Sequence, residues 1–169
     1  MEYEKWLTLI AEQDTKVILI CDQENYEKAY NQTISLGIYK IVGYAIFEEI
    51  IKDGNLEIKV AEYNENTKKD VEKLISEGAY LLDIRENKEY EETAIKGADL
   101  IPFSTFKTEY TKITKNENVY IFCKGGGRSL LGMSFLQRLG YTNKLIIMRG
   151  GIDKTIKEGY SLEKYSGQI

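Results

Sequence analysis

The chain has 169 residues, 43% of them hydrophobic and 11% aromatic, which is enough to bury a core and too apolar for a disordered segment. A formal charge of −4 offers no basic face for nucleic acid, and no apolar run approaches the roughly 18 residues of a membrane span. Histidine is absent, which removes the usual general base and the commonest zinc ligand, so Cys-His proteolysis and histidine-ligated metal chemistry are excluded and no metal or cofactor is expected.

The opening Met1-Glu2-Tyr3-Glu4-Lys5 is too acidic to begin a secretory signal. The two cysteines, Cys21 and Cys123, both close apolar runs, and a reducing cytoplasm is expected rather than a disulfide. Trp6, Leu7 and Ile10 read as the apolar stripe of a first helix. Val17-Ile18-Leu19-Ile20-Cys21 then predicts a strand, followed by a helical stretch to Ser35-Leu36-Gly37-Ile38-Tyr39 and a short strand Lys40-Ile41-Val42-Gly43. The polar stretch Glu62-Tyr63-Asn64-Glu65-Asn66 is expected to separate this N-terminal part, residues 1–62, from a second domain over residues 67–165.

The second part alternates helix and strand signals. Thr67-x-x-Asp70 opens a helix that buries Val71, Leu74 and Ile75 and ends at Gly78. Four apolar runs follow, Tyr80-Leu81-Leu82, Leu100-Ile101, Val119-Tyr120-Ile121-Phe122 and Leu145-Ile146-Ile147-Met148, none strictly alternating, as suits parallel strands covered on both faces. From Ser129 to Leu139 the spacing places Leu131, Phe135, Leu136 and Leu139 on one helical face. The fold class predicted is α/β, a central parallel sheet flanked by helices in three layers, with right-handed crossovers.

The N-terminal strand, cysteine, helix, Leu-Gly and strand match the segment from Val119 to Ile147 in order, and the cysteine-to-Leu-Gly distance differs by one residue. The N-terminal part therefore reads as a truncated α/β half-repeat of the second, whose uncovered sheet is expected to dock closely, through a homodimer or a fused partner.

Chemistry concentrates in Cys123-Lys124-Gly125-Gly126-Gly127-Arg128-Ser129. A cysteine at the C-terminal end of a buried strand lies where open α/β sheets bind ligands. Three glycines permit a tight, positive-φ loop whose N–H groups turn inward as a nest, backed by the start of the next helix. With Lys124 and Arg128 these features favour thiolate over thiol without a base. A nucleotide-binding loop is excluded because the run lacks the Gly-Lys-Ser/Thr ending.

The residues around this loop resemble the rhodanese-like family. Tyr80-Leu81-Leu82-Asp83-Ile84-Arg85, with Glu86-Asn87-Lys88-Glu89-Tyr90 after it, is similar to the family's Asp-x-Arg signature and its acidic-aromatic helix. Ile95-Lys96-Gly97-Ala98-Asp99-Leu100-Ile101-Pro102, the Cys123 loop, Gly140-Tyr141, Arg149-Gly150-Gly151-Ile152 and Glu158-Gly159-Tyr160-Ser161-Leu162 extend the likeness from Lys68 to Lys164. The resemblance implies a sulfurtransferase that moves sulfane sulfur from thiosulfate or a persulfide donor, through a Cys123 persulfide, to a thiol acceptor. It implies loop and anion-binding roles for Lys124, Gly125, Gly126, Gly127, Arg128 and Ser129, with Asp83 and Arg85 as supports. Two positions depart from the pattern: Thr93 or Ala94 stands where members carry histidine, and Thr155 where they carry tryptophan after the Gly-Gly turn.

Two other readings compete. A phosphatase or arsenate reductase would need a longer cysteine-to-arginine spacing and a general acid that this loop lacks. A persulfide carrier or regulatory module would need the same reactive thiol as the enzyme. Thr93, Phe103, Phe106 and Thr155 are expected to flank the mouth of the site. By contrast Cys21-Asp22-Gln23-Glu24-Asn25-Tyr26 has no glycine or arginine, and its acidic residues would repel a thiolate, so only Cys123 is expected to act. A degenerate rhodanese half before an active one is also similar, more weakly, to the C-terminal region of metallo-β-lactamase-type persulfide dioxygenases; without histidine this chain cannot itself be one.

Overall fold

Residues 3–53, 61–113, 118–142 and 144–164 are described by the structure, a computed structural model, and they fall into two units, Met1–Lys59 and Val60–Ile169. The ends of the two expected domains, at residues 1, 2 and 165, lie outside the described residues. Among those described, no helix is long and apolar enough to cross a membrane.

In the first unit, helix α1 (Tyr3–Ile10) precedes strand β1 (Val17–Ile20), helix α2 (Tyr26–Ser35), strand β2 (Ile41–Ala45) and helix α3 (Phe47–Asp53). Strands β1 and β2 run parallel, so the expected β-α-β connection is present. Leu19 is buried, as are Thr33 of α2 and Ile38, and Tyr44, the register partner of Leu19, packs at a tilt against Tyr26 of α2 with ring centroids 4.5 Å apart. The pleat sends Ile18 and Ile20 to the opposite face, where they are 60% and 57% exposed. Trp6 and Leu7 of the expected first-helix stripe are half-buried, and the side chain of Ile10 lies outside the described residues.

The second unit holds strand β3 (Glu62–Asn64), helix α4 (Lys68–Ser76), β4 (Tyr80–Asp83), α5 (Asn87–Glu92), β5 (Asp99–Leu100), α6 (Phe106–Glu109), β6 (Val119–Phe122), α7 (Gly127–Arg138), β7 (Leu145–Met148) and α8 (Gly151–Lys157). Its five strands are all parallel, in the order β3-β7-β6-β4-β5. Thr67 caps α4 through the expected capping box with Asp70, and Gly78 ends the turn at φ 65°.

The stretch Glu62–Asn66, expected as a boundary, is corrected by this topology. Glu62, Tyr63 and Asn64 form the edge strand β3, paired to Ile146, Ile147 and Met148 of β7. An edge strand has one ladder side toward solvent, so its polar composition mimics that of a linker.

One layer of helices sits on each face of the sheet. Val71 and Leu74 of α4 and Ile152 of α8 pack with Leu81, Phe122 and Met148. On the other face α7 approaches β6 so closely that a Cβ at Gly132 would lie 3.1 Å from side-chain atoms of Ile121 and Ile84. This contact rotates the buried stripe of α7 onto Ser129, Gly132, Met133 and Leu136, while Leu139, expected inside, is exposed. Apolar spacing alone pointed to the leucines, but the helix presents its smallest side chain where the backbones come nearest.

Candidate active site

Successive crossovers change direction between β4 and β6. From β4 the chain moves outward to β5, whereas from β6 it moves the other way to β7. The carboxyl ends of these two adjacent strands therefore form the switch-point crevice of the sheet. Cys123 follows the central strand β6, and Asp83-Ile84-Arg85 closes β4, so the topology brings the two signature segments side by side.

Cys123 is 1% exposed, and its sulfur accepts a hydrogen bond from the Gly126 amide at 3.1 Å. Gly126 stands at φ 106°, a conformation that residues with a side chain rarely adopt, and caps the start of α7. The carbonyls of Cys123 and Lys124 accept from the amides of Ile152 and Asp153 at 3.0 and 3.1 Å. Those donors belong to the first turn of α8, where amides have no partner inside the helix. A planar peptide directs its N–H opposite to its C=O, so this anchoring turns the Lys124 and Gly125 amides away from α8. Gly151, at φ 55°, makes the approach possible: a Cβ there would overlap the Cys123 carbonyl oxygen and come within 2.6 Å of that of Lys124.

Arg128 does not stand free in the loop. Its Nη1 and Nη2 donate to the two carboxylate oxygens of Glu89 on α5, at 2.6 and 2.8 Å. That bidentate pair, helped by the Glu86 amide, draws the Glu89 carboxyl down from 4.5 to about 2 and raises Arg128 above its ordinary value. Glu89 is a site residue that sequence reasoning passed over, because an acidic residue in an acidic exposed helix carries no signal of its own.

Asp83 and Arg85 form a buried ion pair, with Nη2 to Oδ2 at 2.7 Å and Nε to both carboxylate oxygens. Arg85 also donates to the carbonyls of Glu89 and Thr93, at the end of α5. The chain of support runs from Asp83 through Arg85 to α5, and from Glu89 of α5 to Arg128. Ser129 is wholly buried, and its hydroxyl has no partner among the described residues. Lys124 is exposed at the loop.

Of the four residues expected at the mouth, Phe103, Phe106 and Thr155 are buried and Thr93 is half-buried. Phe103 and Phe106 are buried and pack ring to ring. Thr155, where the resemblance carries tryptophan, is wholly buried and bonds the Gly151 carbonyl, and Thr93 is spent on Arg85. Burial commits Phe103, Phe106 and Thr155 to packing and bracing.

The rhodanese-like domain model matches residues 67–158. A Bacillus subtilis protein named as a putative sulfur carrier, YrkF, is 30% identical over 81 residues, 48% of this chain and 44% of that protein, so the chain spans less than half of its length. A sulfurtransferase of Allochromatium vinosum is 30% identical over 84 residues, covering 50% of this chain and 78% of that one. Among solved structures, a rhodanese-related protein of Thermoplasma volcanium superposes with a TM-score of 0.53 at 26% identity, covering 61% of this chain and 100% of that chain.

Proposed function

This chain belongs to the rhodanese-like domain family, and on that premise we propose that it is a sulfurtransferase working through a persulfide on Cys123. The observation that carries the proposal is the Gly126 amide on the Cys123 sulfur, in a loop whose carbonyls are tied to the start of α8. An amide donor already fixed on the sulfur costs no reorganisation during reaction. The sulfur needs no base, in keeping with a chain that has no histidine.

In the first step the Cys123 thiolate attacks the outer sulfur of a donor such as thiosulfate or a small persulfide. A sulfur–sulfur bond forms at Cys123 while the donor's own breaks, and the donor leaves as sulfite or as a thiolate. In the second step an acceptor thiolate takes the terminal sulfur and Cys123 is restored as thiolate. No oxidant is consumed. Splitting one transfer into two displacements predicts ping-pong kinetics. Lys124, the exposed cation of the loop, is the residue assigned to anionic donors, while Arg128 acts through Glu89 to close the loop. A reducing compartment such as the cytoplasm suits a thiol that must be regenerated.

The test is steady-state sulfur transfer with thiosulfate and glutathione persulfide as donors and a small thiol as acceptor. Parallel-line kinetics that vanish in Cys123→Ser support the proposal. Absence of turnover with a persulfide still formed would make the protein a carrier, the role named for its Bacillus relative. Hydrolysis of a phosphate ester that depends on Cys123, without sulfur uptake, would replace both readings.

A further inference from the structure

Asn66 lies at the corner between β3 and α4, wholly buried and at φ 58°, a left-handed conformation that asparagine tolerates better than most residues. Its amide Nδ2 donates to the Gly151 carbonyl and to Thr155 Oγ1, each at 2.8 Å, and reaches the Arg149 carbonyl at 3.5 Å. Its own N–H is held by Asn64 Oδ1 at 2.8 Å, and the Asn64 carbonyl accepts from Arg149 at 2.9 Å. The corner from Asn64 to Asn66 thus holds the turn from Arg149 to Gly151 on one side, while the Cys123 loop is tied to the helix start that follows that turn.

Resting on the proposed nucleophilic role of Cys123, the geometry points to Asn66 as a positioning residue for that sulfur. The link has three steps. Asn66, with Thr155, fixes the first turn of α8 through the Gly151 carbonyl. The Ile152 and Asp153 amides of that turn hold the carbonyls of Cys123 and Lys124. The orientation of those two peptides sets where the following loop amides point, and the Gly126 amide completes the contact with sulfur. A buried amide with three acceptors in reach is a fixed anchor, because any displacement leaves it unpaired in an apolar layer. An apolar side chain of similar volume would fill the same space without holding the turn.

Asn66→Gly tests this in a Cys21→Ser background, since glycine keeps the positive φ while removing the side chain that anchors the turn. The charged groups around the loop are Lys124 and Arg128 on its own elements, Glu86 and Glu89 from the α5 side, and Asp153 from α8. All remain in the variant, so a shift in sulfur reactivity reports the amides. Iodoacetamide alkylation of Cys123, followed across pH, is expected to slow about tenfold near neutral pH. The kcat for sulfur transfer is expected to fall about tenfold, with the donor KM changed less.

Thr155→Val, which removes the hydroxyl and keeps the shape, is expected to move both readings the same way by a smaller amount, and it decides the matter if Asn66→Gly does not fold. A folded variant with the wild-type alkylation profile overturns the assignment. If the parent protein transfers no sulfur yet the profile moves, the positioning role stands and the sulfurtransferase reading fails. If the parent transfers sulfur and the profile does not move, the sulfurtransferase reading stands and the positioning role fails.

Discussion

Cys21 and Cys123 each stand one residue beyond a parallel strand that a helix joins to its neighbour, yet their surroundings differ in nearly every other respect. After Cys123 the chain turns through a positive-φ glycine and directs an amide at the sulfur. After Cys21 it enters a short 3-10 turn, Gln23–Asn25, with Asp22 extended at its start and no left-handed residue. Strand burial differs too. Every residue of β7 is buried, whereas β1 leaves Ile18 and Ile20 open on the face away from Leu19. A β-α-β frame is therefore sufficient to place a cysteine at a strand end, but it does not by itself direct an amide at the sulfur. The glycine loop and the turn it rests on supply the rest.

Exchange of the loops should break the comparison most severely. A variant carrying Lys124→Asp, Gly125→Gln and Gly126→Glu, the residues that follow Cys21, removes the amide geometry and adds repulsive charge. Sulfur transfer is expected to fall by about 10²- to 10³-fold, as when an anion-stabilising donor is lost. Next in size is Gly151→Ala, whose methyl would meet the Cys123 and Lys124 carbonyls at a strained φ; thermal unfolding should show about 2–4 kcal/mol of destabilisation. By contrast, Gly43→Ala in β2 of the first unit meets nothing within 4 Å and should stay within about 0.5 kcal/mol.

Glu89→Gln, which strips Arg128 of its carboxylate partner, should lower transfer by about tenfold or less. It also carries a pH signature. Glu89 titrates at about 2 in the folded protein against 4.5 ordinarily, so its stabilising contribution is complete above pH 4.5 and is lost as pH falls through 2. The Tm gap between the parent and Glu89→Gln should therefore be widest above pH 4.5 and close toward pH 2. The smallest effect is expected at Ile18→Ser, on the open face of β1, where stability should change by about 0.5 kcal/mol or less.

Much of this contrast was legible in the residues. Continuous apolar runs gave the buried strands β4, β6 and β7, the capping box gave the start of α4, and the glycine run gave the cysteine loop, because each is a local cause acting on adjacent residues. What escaped reading is non-local. Strand β3 looked like a linker because its partner β7 lies more than eighty residues away. Glu89 and Asn66 are ordinary polar residues until the fold sets one against Arg128 and the other against Gly151. The stripe of α7 was misplaced because close packing onto Ile121 favours glycine over leucine there.

The most direct test of the central claim is to expose the protein to glutathione persulfide, remove the excess, and map added sulfur by mass spectrometry on the parent, Cys21→Ser and Cys123→Ser. One sulfur atom on Cys123 in the parent and in Cys21→Ser, and none in Cys123→Ser, is the predicted result. Sulfur retained on Cys21 when Cys123 is absent, or no sulfur on the parent at all, would contradict it.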